Sequence, residues 1–267
     1  MKTSLYTKDY YLSDCEGFRQ FQKSQGKVLS PRLKKVFRLA EVKPGMKVLD
    51  IGFGRGELLL KAAKSGAIAF GIEYSEAALK ITEEAMKQWT RKSPEINENC
   101  FPLKSNAALL PFKNKVFDVI ILSDMIEHLF PEELLNCFKE CFRVLKPGGK
   151  LVLHTTPNRL FMSVGLRLYQ ALGLLFGRWI GLNPRERLPA GLQKNVHVNE
   201  QTLFSLKRVL KKSGFKNNDL WLEKSPQYIY YFFKEDIFVK RVRWIYFLLP
   251  VKHFFFSDIF GIVRKEN

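Results

Sequence analysis

The chain has 267 residues, of which 46% are hydrophobic, and it carries 44 basic and 26 acidic side chains for a formal net charge of +18. This length and composition are those of a globular protein with a sizeable core, and they exclude an intrinsically disordered chain. Because the positive charge is larger than solubility requires, we expect an anionic partner, either a membrane surface or nucleic acid.

The N-terminal sequence has no hydrophobic signal segment, which predicts that the protein is not exported. Four cysteines without metal-type spacing fit a reducing compartment. Cys137 and Cys141 lie four residues apart on a predicted helix, and this spacing favours a buried apolar stripe over a disulfide or a metal pair. We therefore predict a cytoplasmic protein.

The most specific pattern is VLDIGFGRGE at residues 48–57, a hydrophobic strand that ends in an acid and continues into three glycines. Gly52, Gly54 and Gly56 permit a turn whose backbone can lie directly against a ligand. The dinucleotide fingerprint has its third glycine one position later, so this spacing does not predict a pyrophosphate site. A helix is expected over residues 57–64.

Strands and helices alternate after this loop. A second predicted strand, 67–72, is followed by Glu73, at the separation where a strand-end acid accepts hydrogen bonds from ribose hydroxyls. Tyr74 comes next, and its ring could cover an adenine face. The remaining strands in this part of the chain are predicted at 100–104, 116–124 and, after a turn at 146–149, 149–158. This alternation predicts an α/β doubly wound sheet.

Taken in order, these blocks resemble the class I methyltransferases that use S-adenosylmethionine, specifically the small-molecule branch that includes ubiquinone and menaquinone biosynthesis enzymes. The resemblance runs from about residue 27 to 157 and resumes from His197 to the C-terminus. It implies a Rossmann-like sheet of seven strands with the last strand antiparallel, formed here by residues 259–264. It also implies S-adenosylmethionine as the cofactor.

The resemblance assigns cofactor contacts residue by residue. The methionine end would be held by Asp50, Gly52, Phe53, Gly54 and Gly56, the ribose by Glu73, the adenine by Tyr74, Asn106 and Ala107, and the floor of the site would be formed by Ser123 and Asp124. Two positions depart from the family pattern. Phe53 replaces a small residue, so its ring either crowds the loop or shields the sulfonium. Asn106 replaces an aspartate, which weakens adenine recognition although an amide oxygen still accepts a hydrogen bond.

Methyl transfer from a sulfonium requires alignment and exclusion of water, and a hydroxyl acceptor also requires a base. His128 follows the fourth strand, where the carboxyl edge of the sheet opens, and its ordinary titration range suits a general base. His197 is the second candidate. Two alternatives stay open for the segment of His128: Asp124, Glu127 and His128 could hold a divalent cation such as magnesium, or they could be structural residues at a helix start. The sequence assigns no metal.

Two further segments combine basic and apolar residues. In residues 159–182, four polar side chains fall within about a 100° sector at helical spacing; they are Arg159, Arg167, Gln170 and Arg178. Residues 226–256 interleave aromatic rings with Lys234, Lys240, Arg241, Arg243 and Lys252. Both patterns favour attachment to an anionic membrane surface. The alternatives are a cap folded back on the domain, or stacking on single-stranded nucleic acid.

We therefore expect one methyltransferase domain over residues 1–267. Its parts are an N-terminal helical cap (1–45), the cofactor-binding core (46–157), an amphipathic helical insertion (158–196), an aromatic and basic insertion (226–256) and the rest of the core (197–225 and 257–267).

The predicted activity is S-adenosylmethionine-dependent O-methylation of a lipid or a lipid-linked small molecule, by a protein peripheral on the inner face of the membrane. The rivals are a nucleic-acid methyltransferase that uses the basic surface and a non-catalytic interaction protein on the same fold. Enzymes that methylate adenine in nucleic acids carry an Asn/Asp-Pro-Pro-aromatic block after the fourth strand, where residues 123–126 read SDMI. We therefore do not expect a nucleic-acid partner.

Overall fold

The computed structural model describes residues 5–175, 196–225 and 252–266. The strands are β1 Lys47–Ile51, β2 Ile68–Glu73, β3 Cys100–Lys104, β4 Phe117–Ser123, β5 Leu145–Thr155, β6 Asn217–Glu223 and β7 Asp258–Arg264. Within the described residues they form a seven-stranded sheet in the order β3-β2-β1-β4-β5-β7-β6. Neighbouring strands from β3 to β5 run parallel, whereas β7 is antiparallel to both β5 and β6. The predicted Rossmann-like sheet with an antiparallel last strand is confirmed.

Helices connect the strands. They are α1 Phe18–Ser24, α2 Pro31–Ala40, α3 Glu57–Lys64, α4 Glu76–Thr90, α5 Ile96–Asn99, α6 Pro131–Val144, α7 Leu166–Leu175, α8 Leu203–Lys212 and α9 Lys252–Phe255. Two π-helical turns, Tyr10–Asp14 and Phe161–Gly165, precede α1 and α7, and a 3-10 turn, Ile126–His128, follows β4. Side-chain caps fix the start of α2, where Ser30 accepts from Leu33, and of α8, where Thr202 accepts from Ser205.

The predicted start of β5 at residue 149 is wrong. The strand begins at Leu145, and its pairing with β4 moves from Leu145 opposite Phe117 to Lys150 opposite Val119. The predicted turn at residues 146–149 therefore bulges out within the strand instead of preceding it. The backbone of this bulge is anchored at the end of β7, because Lys265 exchanges hydrogen bonds of 2.9 and 3.0 Å with Gly148 and Gly149.

The core lies in two layers, one on each face of the sheet. Side chains of α2, α3 and α4 cover one face, and those of α6 and α8 cover the other. Full burial on both faces explains the nearly continuous hydrophobic runs of β1 and β4. Phe117, Phe138 and Phe215 are fully buried, and each contributes about 1.5–3 kcal/mol by leaving water. Cys137 and Cys141 are buried in the same layer as free thiols, as predicted.

The two predicted insertions are described only in part, since residues 176–195 and 226–251 lie outside the described residues. The described part of the first is helical, from the turn Phe161–Gly165 through α7, as its spacing predicts. The described part of the second includes α9, which contacts the turn before α7. Among the described residues, no helix combines the length and apolar character needed to cross a bilayer.

Candidate active site

The glycine loop between β1 and α3 lies at the carboxyl edge of the sheet. Gly52, Gly54 and Gly56 all have positive φ, at +73°, +54° and +78°, in the left-handed region that favours glycine. A Cβ atom on Gly52 would lie 2.5 Å from Met125, and one on Gly56 would lie 2.4 Å from Thr82. Backbone conformation and close packing therefore both require glycine at these two positions.

Glu73, at the end of β2, holds this loop in place. Its carboxylate accepts hydrogen bonds from the backbone N–H groups of Gly54 at 2.9 Å, Tyr74 at 2.7 Å and Ser75 at 2.9 Å. Burial raises the pKa of Glu73, and these three bonds act in the opposite direction by favouring the ionised form. The carboxylate has further lone pairs, so it can also accept from ribose hydroxyls, as the resemblance implies.

A cavity of about 80 Å³ lies beyond Glu73. Its walls include Tyr74, Asn106 and Ala107, the residues that the sequence assigns to the adenine. The amide oxygen of Asn106 accepts a hydrogen bond of 2.8 Å from the backbone N–H of Ala108. One of its two lone pairs remains available for an exocyclic amine.

A larger cavity of about 150 Å³ opens between the glycine loop and the N-terminal segment. It brings together most of the predicted site residues: Gly52, Phe53, Gly54, Glu73, Tyr74, Ser123, Asp124, His128 and His197. Phe53 is buried, and its ring packs against Gly71 in β2. A Cβ atom on Gly71 would lie only 2.5 Å from this ring, so the contact requires glycine at that position. The ring therefore packs on β2 while it also lines the cavity.

Two predicted cofactor residues, Asp50 and Gly56, do not line either of these cavities. Asp50 is buried behind the loop, and burial together with the nearby charge of Glu73 raises its pKa to about 8. Within the described part of the chain, its Oδ2 atom has no hydrogen-bond partner. A bare glycine backbone and an acceptor at Glu73 fit a nucleoside ligand such as S-adenosylmethionine.

His128 lies in the 3-10 turn after β4, and its ring faces the larger cavity. Its Nδ1 atom is 3.1 Å from the carbonyl oxygen of Val196. A carbonyl oxygen can only accept, so Nδ1 carries the proton and Nε2 is left as the basic nitrogen. Burial lowers the pKa of His128 to about 4. The ring is therefore neutral at pH 7 and in the tautomer that a general base needs.

Glu127 and His197 flank His128. The carboxylate of Glu127 accepts a hydrogen bond of 2.6 Å from Thr155, and burial, followed by the charge of Asp124, raises the pKa of Glu127 to about 8. The ring of His197 is 5.0 Å from that of His128. One ligand atom from each of Glu127, His128 and His197 lies within 4.8 Å of the others. These three residues could therefore ligate a divalent cation. The ligand set considered from the sequence was Asp124, Glu127 and His128, so His197 replaces Asp124 in the structure.

The carboxylate of Asp124 is already shared among protein groups. It lies 3.0 Å from the guanidinium of Arg32 and 2.7 Å from Nδ1 of His154, and Ser123 donates to it at 3.0 Å. Burial acts to raise the pKa of Asp124, but the charges of Arg32 and His154 hold it well below its usual range. Asp124 therefore forms the floor of the cavity as a paired anion, and its backbone has a φ of +55°.

His154 is fully buried between two acids. Asp124 lies on one side, and Oδ2 of Asp258 is 3.6 Å from Nε2 on the other. Burial acts to lower the pKa of His154, but the two carboxylates raise it to about 9. The ring is thus an imidazolium at neutral pH, and it links the ends of β4, β5 and β7 beneath the cavity.

The N-terminal segment supplies residues that the sequence analysis did not assign to the site. Tyr6, Tyr10 and Tyr11 line the larger cavity opposite the glycine loop. Arg55, buried within that loop, donates to the carbonyl oxygens of Tyr11 at 3.0 Å and Glu16 at 2.7 Å. Three tyrosines close together in an otherwise polar segment are the sequence feature that could have identified this wall.

Comparison with known proteins supports the family that these features indicate. Residues 49–153 match a family model described as a methyltransferase domain. Demethylmenaquinone methyltransferases of Bacillus cereus and Bacillus anthracis are 28% identical to the chain over 161 residues. The match covers 57% of this chain and 64% of those relatives, so the chain spans less than two thirds of their length.

Solved structures share the fold at low sequence identity. Phosphoethanolamine N-methyltransferase 2 of Haemonchus contortus, in complex with S-adenosyl-L-methionine, is 16% identical with a TM-score of 0.62, over 97% of this chain and 60% of that one. A protein from Pyrococcus horikoshii is 20% identical with a TM-score of 0.58, over 97% and 96% of the two chains. Residues 49–153 are thus similar to a methyltransferase domain, and the chain shares its fold with a methyltransferase in complex with S-adenosyl-L-methionine.

Proposed function

We propose that the protein transfers a methyl group to a hydroxyl oxygen of a lipid or a lipid-linked small molecule, at the inner face of a membrane. The observation that carries this proposal is the state of His128, a neutral histidine with its basic Nε2 available, in the cavity that also contains the glycine loop. A neutral base next to the cofactor is what deprotonation of a hydroxyl acceptor requires.

S-adenosylmethionine supplies a methyl carbon attached to a positively charged sulfur, which leaves as a neutral thioether. The protein's own tasks are to remove the acceptor proton, align the acceptor and exclude water. His128 takes the proton on Nε2, while its Nδ1–H group donates to Val196 and fixes the ring. The tyrosines of the N-terminal segment wall off the cavity. His197 is the second candidate for the base.

The acceptor class is supported by the relatives and by charge. The Bacillus relatives are named for demethylmenaquinone, which supports a quinone-like acceptor for this chain. The net charge of +18 supports attraction to anionic headgroups. Peripheral attachment would bring the protein to acceptors that partition into the bilayer.

Incubation of the purified protein with lipid extract and S-adenosylmethionine carrying a labelled methyl group tests this function. We expect label in the lipid fraction, and mass spectrometry of that fraction would identify both the acceptor and the methylated atom. Label in RNA or DNA instead would favour the nucleic-acid rival. Calorimetry with S-adenosylmethionine tests the non-catalytic rival, which predicts no cofactor binding.

The metal alternative is tested in the same assay. If His128 acts as a free base, the chelator EDTA leaves the rate unchanged. If Glu127, His128 and His197 hold a cation, that ion occupies the basic nitrogen of His128 and activates the acceptor hydroxyl in its place. EDTA then abolishes turnover, and added magnesium restores it.

A further inference from the structure

Helix α7 and the turn before it present apolar side chains to solvent. Val164, Leu168 and Leu174 are 37%, 41% and 57% exposed. At helical spacing they fall within about a 120° sector together with Arg167, which is also exposed. Leu166, outside this sector, is buried. A stripe of this kind, apolar with a basic side chain within it, is typical of helices that lie in a membrane interface.

Helix α8 presents a second stripe. Phe204 is 65% exposed, and Lys207 and Arg208 follow it at the i+3 and i+4 positions, also exposed. These three residues share one side of the helix. The opposite side is buried in the core through Leu206 and Leu210. The outer surface of α8 therefore combines a large aromatic ring with cations.

The two stripes are joined by α9. The ring of Phe204 stacks on that of His253, with ring centroids 5.4 Å apart. The next residue, Phe254, packs against the turn before α7 so closely that a Cβ atom on Gly165 would lie 1.7 Å from the carbonyl oxygen of Phe254. We call the surface formed by Val164, Arg167, Leu168, Leu174, Phe204 and Lys207 the α7–α8 face.

The charge around this face is strongly one-sided. Residues 158–175 and 196–212 contain six arginines and lysines and a single acid, Glu200. The basic residues are Arg159, Arg167, Lys207, Arg208, Lys211 and Lys212. Each cation near an anionic bilayer contributes about 1 kcal/mol. Charge complementarity thus identifies a negatively charged surface as the partner. The exposed apolar side chains favour a surface with an apolar interior into which they can insert.

The segment that leads into α8 lines the acceptor end of the cavity, which is the end that contains His128 and His197. Val198 is 40% exposed, whereas its neighbour His197 is buried and lines the cavity. The backbone N–H of Asn199 donates to the carbonyl oxygen of Glu127 at 3.0 Å, which fixes this segment beside His128. One stretch of chain, residues 196–199, therefore passes from the cavity wall to the outer surface.

We infer that the α7–α8 face docks on an anionic lipid bilayer, with its apolar side chains among the headgroups and the acceptor end of the cavity turned towards the lipid. This inference rests on the proposed function and adds the surface through which the acceptor is delivered. An acceptor with an isoprenoid or acyl chain can then reach the cavity without full exposure of the chain to water, which is costly for each methylene group.

Co-sedimentation of the 267-residue chain with vesicles tests the docking surface. The vesicles contain equal parts of phosphatidylcholine and phosphatidylglycerol, and the variants are Leu168→Ser and Phe204→Ser. The matched control is Leu103→Ser, because Leu103 is 38% exposed but lies on β3, at the opposite edge of the sheet from β6. We expect each of the two face variants to bind about tenfold more weakly than the unmodified protein, and the control to bind as the unmodified protein does.

Equal binding by all four proteins would overturn the docking surface, as would failure of the unmodified protein to bind these vesicles. A gel shift with RNA that is weakened by the two face variants, without vesicle binding, would assign the face to nucleic acid and also overturn the inference. Methylation of lipid extract dispersed in detergent separates the two proposals. The variants keep their rate there if the proposed function holds, and the unmodified protein fails there if the proposed function is wrong.

Discussion

The two cavities adjoin, since Gly52, Glu73 and Tyr74 line both, and together they form a site whose two ends are built in different ways. The cofactor end consists largely of main chain: the glycine loop, the backbone N–H groups bound to Glu73 and the turn at Asn106. The acceptor end consists of side chains from separate elements, among them Tyr6, Arg32 and His128. One end recognises a ligand that is common to a family, and the other can change with the acceptor while the main chain stays the same.

The two ends also differ in electrostatics. At the cofactor end Glu73 is satisfied by neutral N–H groups. Beneath the acceptor end, the ions Arg32, Asp124 and His154 compensate one another in the interior. Loss of one member of such a network leaves a buried charge unpaired. We therefore expect substitutions at the acceptor end to affect stability more strongly than those at the cofactor end.

The largest expected effect is on stability, from His154→Gln. Without the imidazolium, Asp124 and Asp258 lose their shared cation, and the free energy of unfolding at pH 7 should fall by about 3–5 kcal/mol. The folded-state pKa of His154 is raised from 6.5 to about 9. Its stabilisation is therefore complete below pH 6.5 and is lost as the pH rises through about 9. Urea denaturation at several pH values measures the difference between the two proteins, which should shrink at high pH.

His253→Gln is the control for that variant, because His253 is only half-buried in α9, and we expect a change within about 0.5 kcal/mol. A stability loss in His154→Gln that is the same at pH 6 and pH 10 would show that packing, and not the ionic network, is responsible.

The next effect is on turnover, from His128→Ala. Removal of the base should lower kcat by about 100-fold or more, while calorimetry should show little change in the affinity for S-adenosylhomocysteine, because His128 is placed at the acceptor end. His197→Ala in the same assays compares the second candidate. Turnover equal to that of the unmodified protein would remove His128 from the mechanism.

The pH–rate profile identifies the base independently. The pKa of His128 is lowered to about 4, so kcat/KM should fall only as the pH decreases through about 4. The pKa of Glu127 is raised to about 8, so a fall in rate as the pH decreases through about 8 would assign the role to Glu127. Glu127→Gln would then abolish that dependence.

A smaller effect is expected at the cofactor end, from Glu73→Ala. Loss of the carboxylate removes the bonds to the ribose and to the loop, and should weaken S-adenosylhomocysteine binding by about 1–3 kcal/mol. Glu73→Gln keeps one acceptor oxygen and should lose less. Unchanged affinity in the alanine variant by calorimetry would show that the ribose lies elsewhere.

The smallest effect concerns Asn106, where the chain departs from the pattern of the methyltransferases that it resembles. Asn106→Asp should strengthen cofactor binding by about 0.5–1 kcal/mol, because a carboxylate forms a charge-assisted hydrogen bond with the adenine amine. Asn106→Ala should weaken it by a similar amount. Opposite signs for the two variants in the same titration would place the adenine beside this residue, and no change in either would exclude that placement.

The sequence predicted the cofactor end of the cavity more fully than the acceptor end. Gly52, Gly54 and Glu73 could be located because strands and turns are coded by residues close together in the chain, and the carboxyl ends of parallel strands share one edge. The salt bridge of 2.6 Å between Arg32 and Glu16, and the Arg32–Asp124 pair, join distant segments. No pattern within a short stretch of sequence indicates such pairs, so the ionic network around Arg32 was not predicted. The bulge in β5 was missed because a Pro-Gly-Gly sequence usually ends a strand.

The buried guanidinium of Arg55 has a consequence for how the protein can be shortened. Its side chain donates to the carbonyl oxygens of Tyr11 and Glu16 and is paired with Glu57. Deletion of the first sixteen residues would remove two of these acceptors and expose a loop that is otherwise covered. The leading segment is thus an integral part of both ends of the site, because the same residues include Tyr6, and trimming it for expression or crystallisation would damage the donor-binding loop together with the acceptor wall.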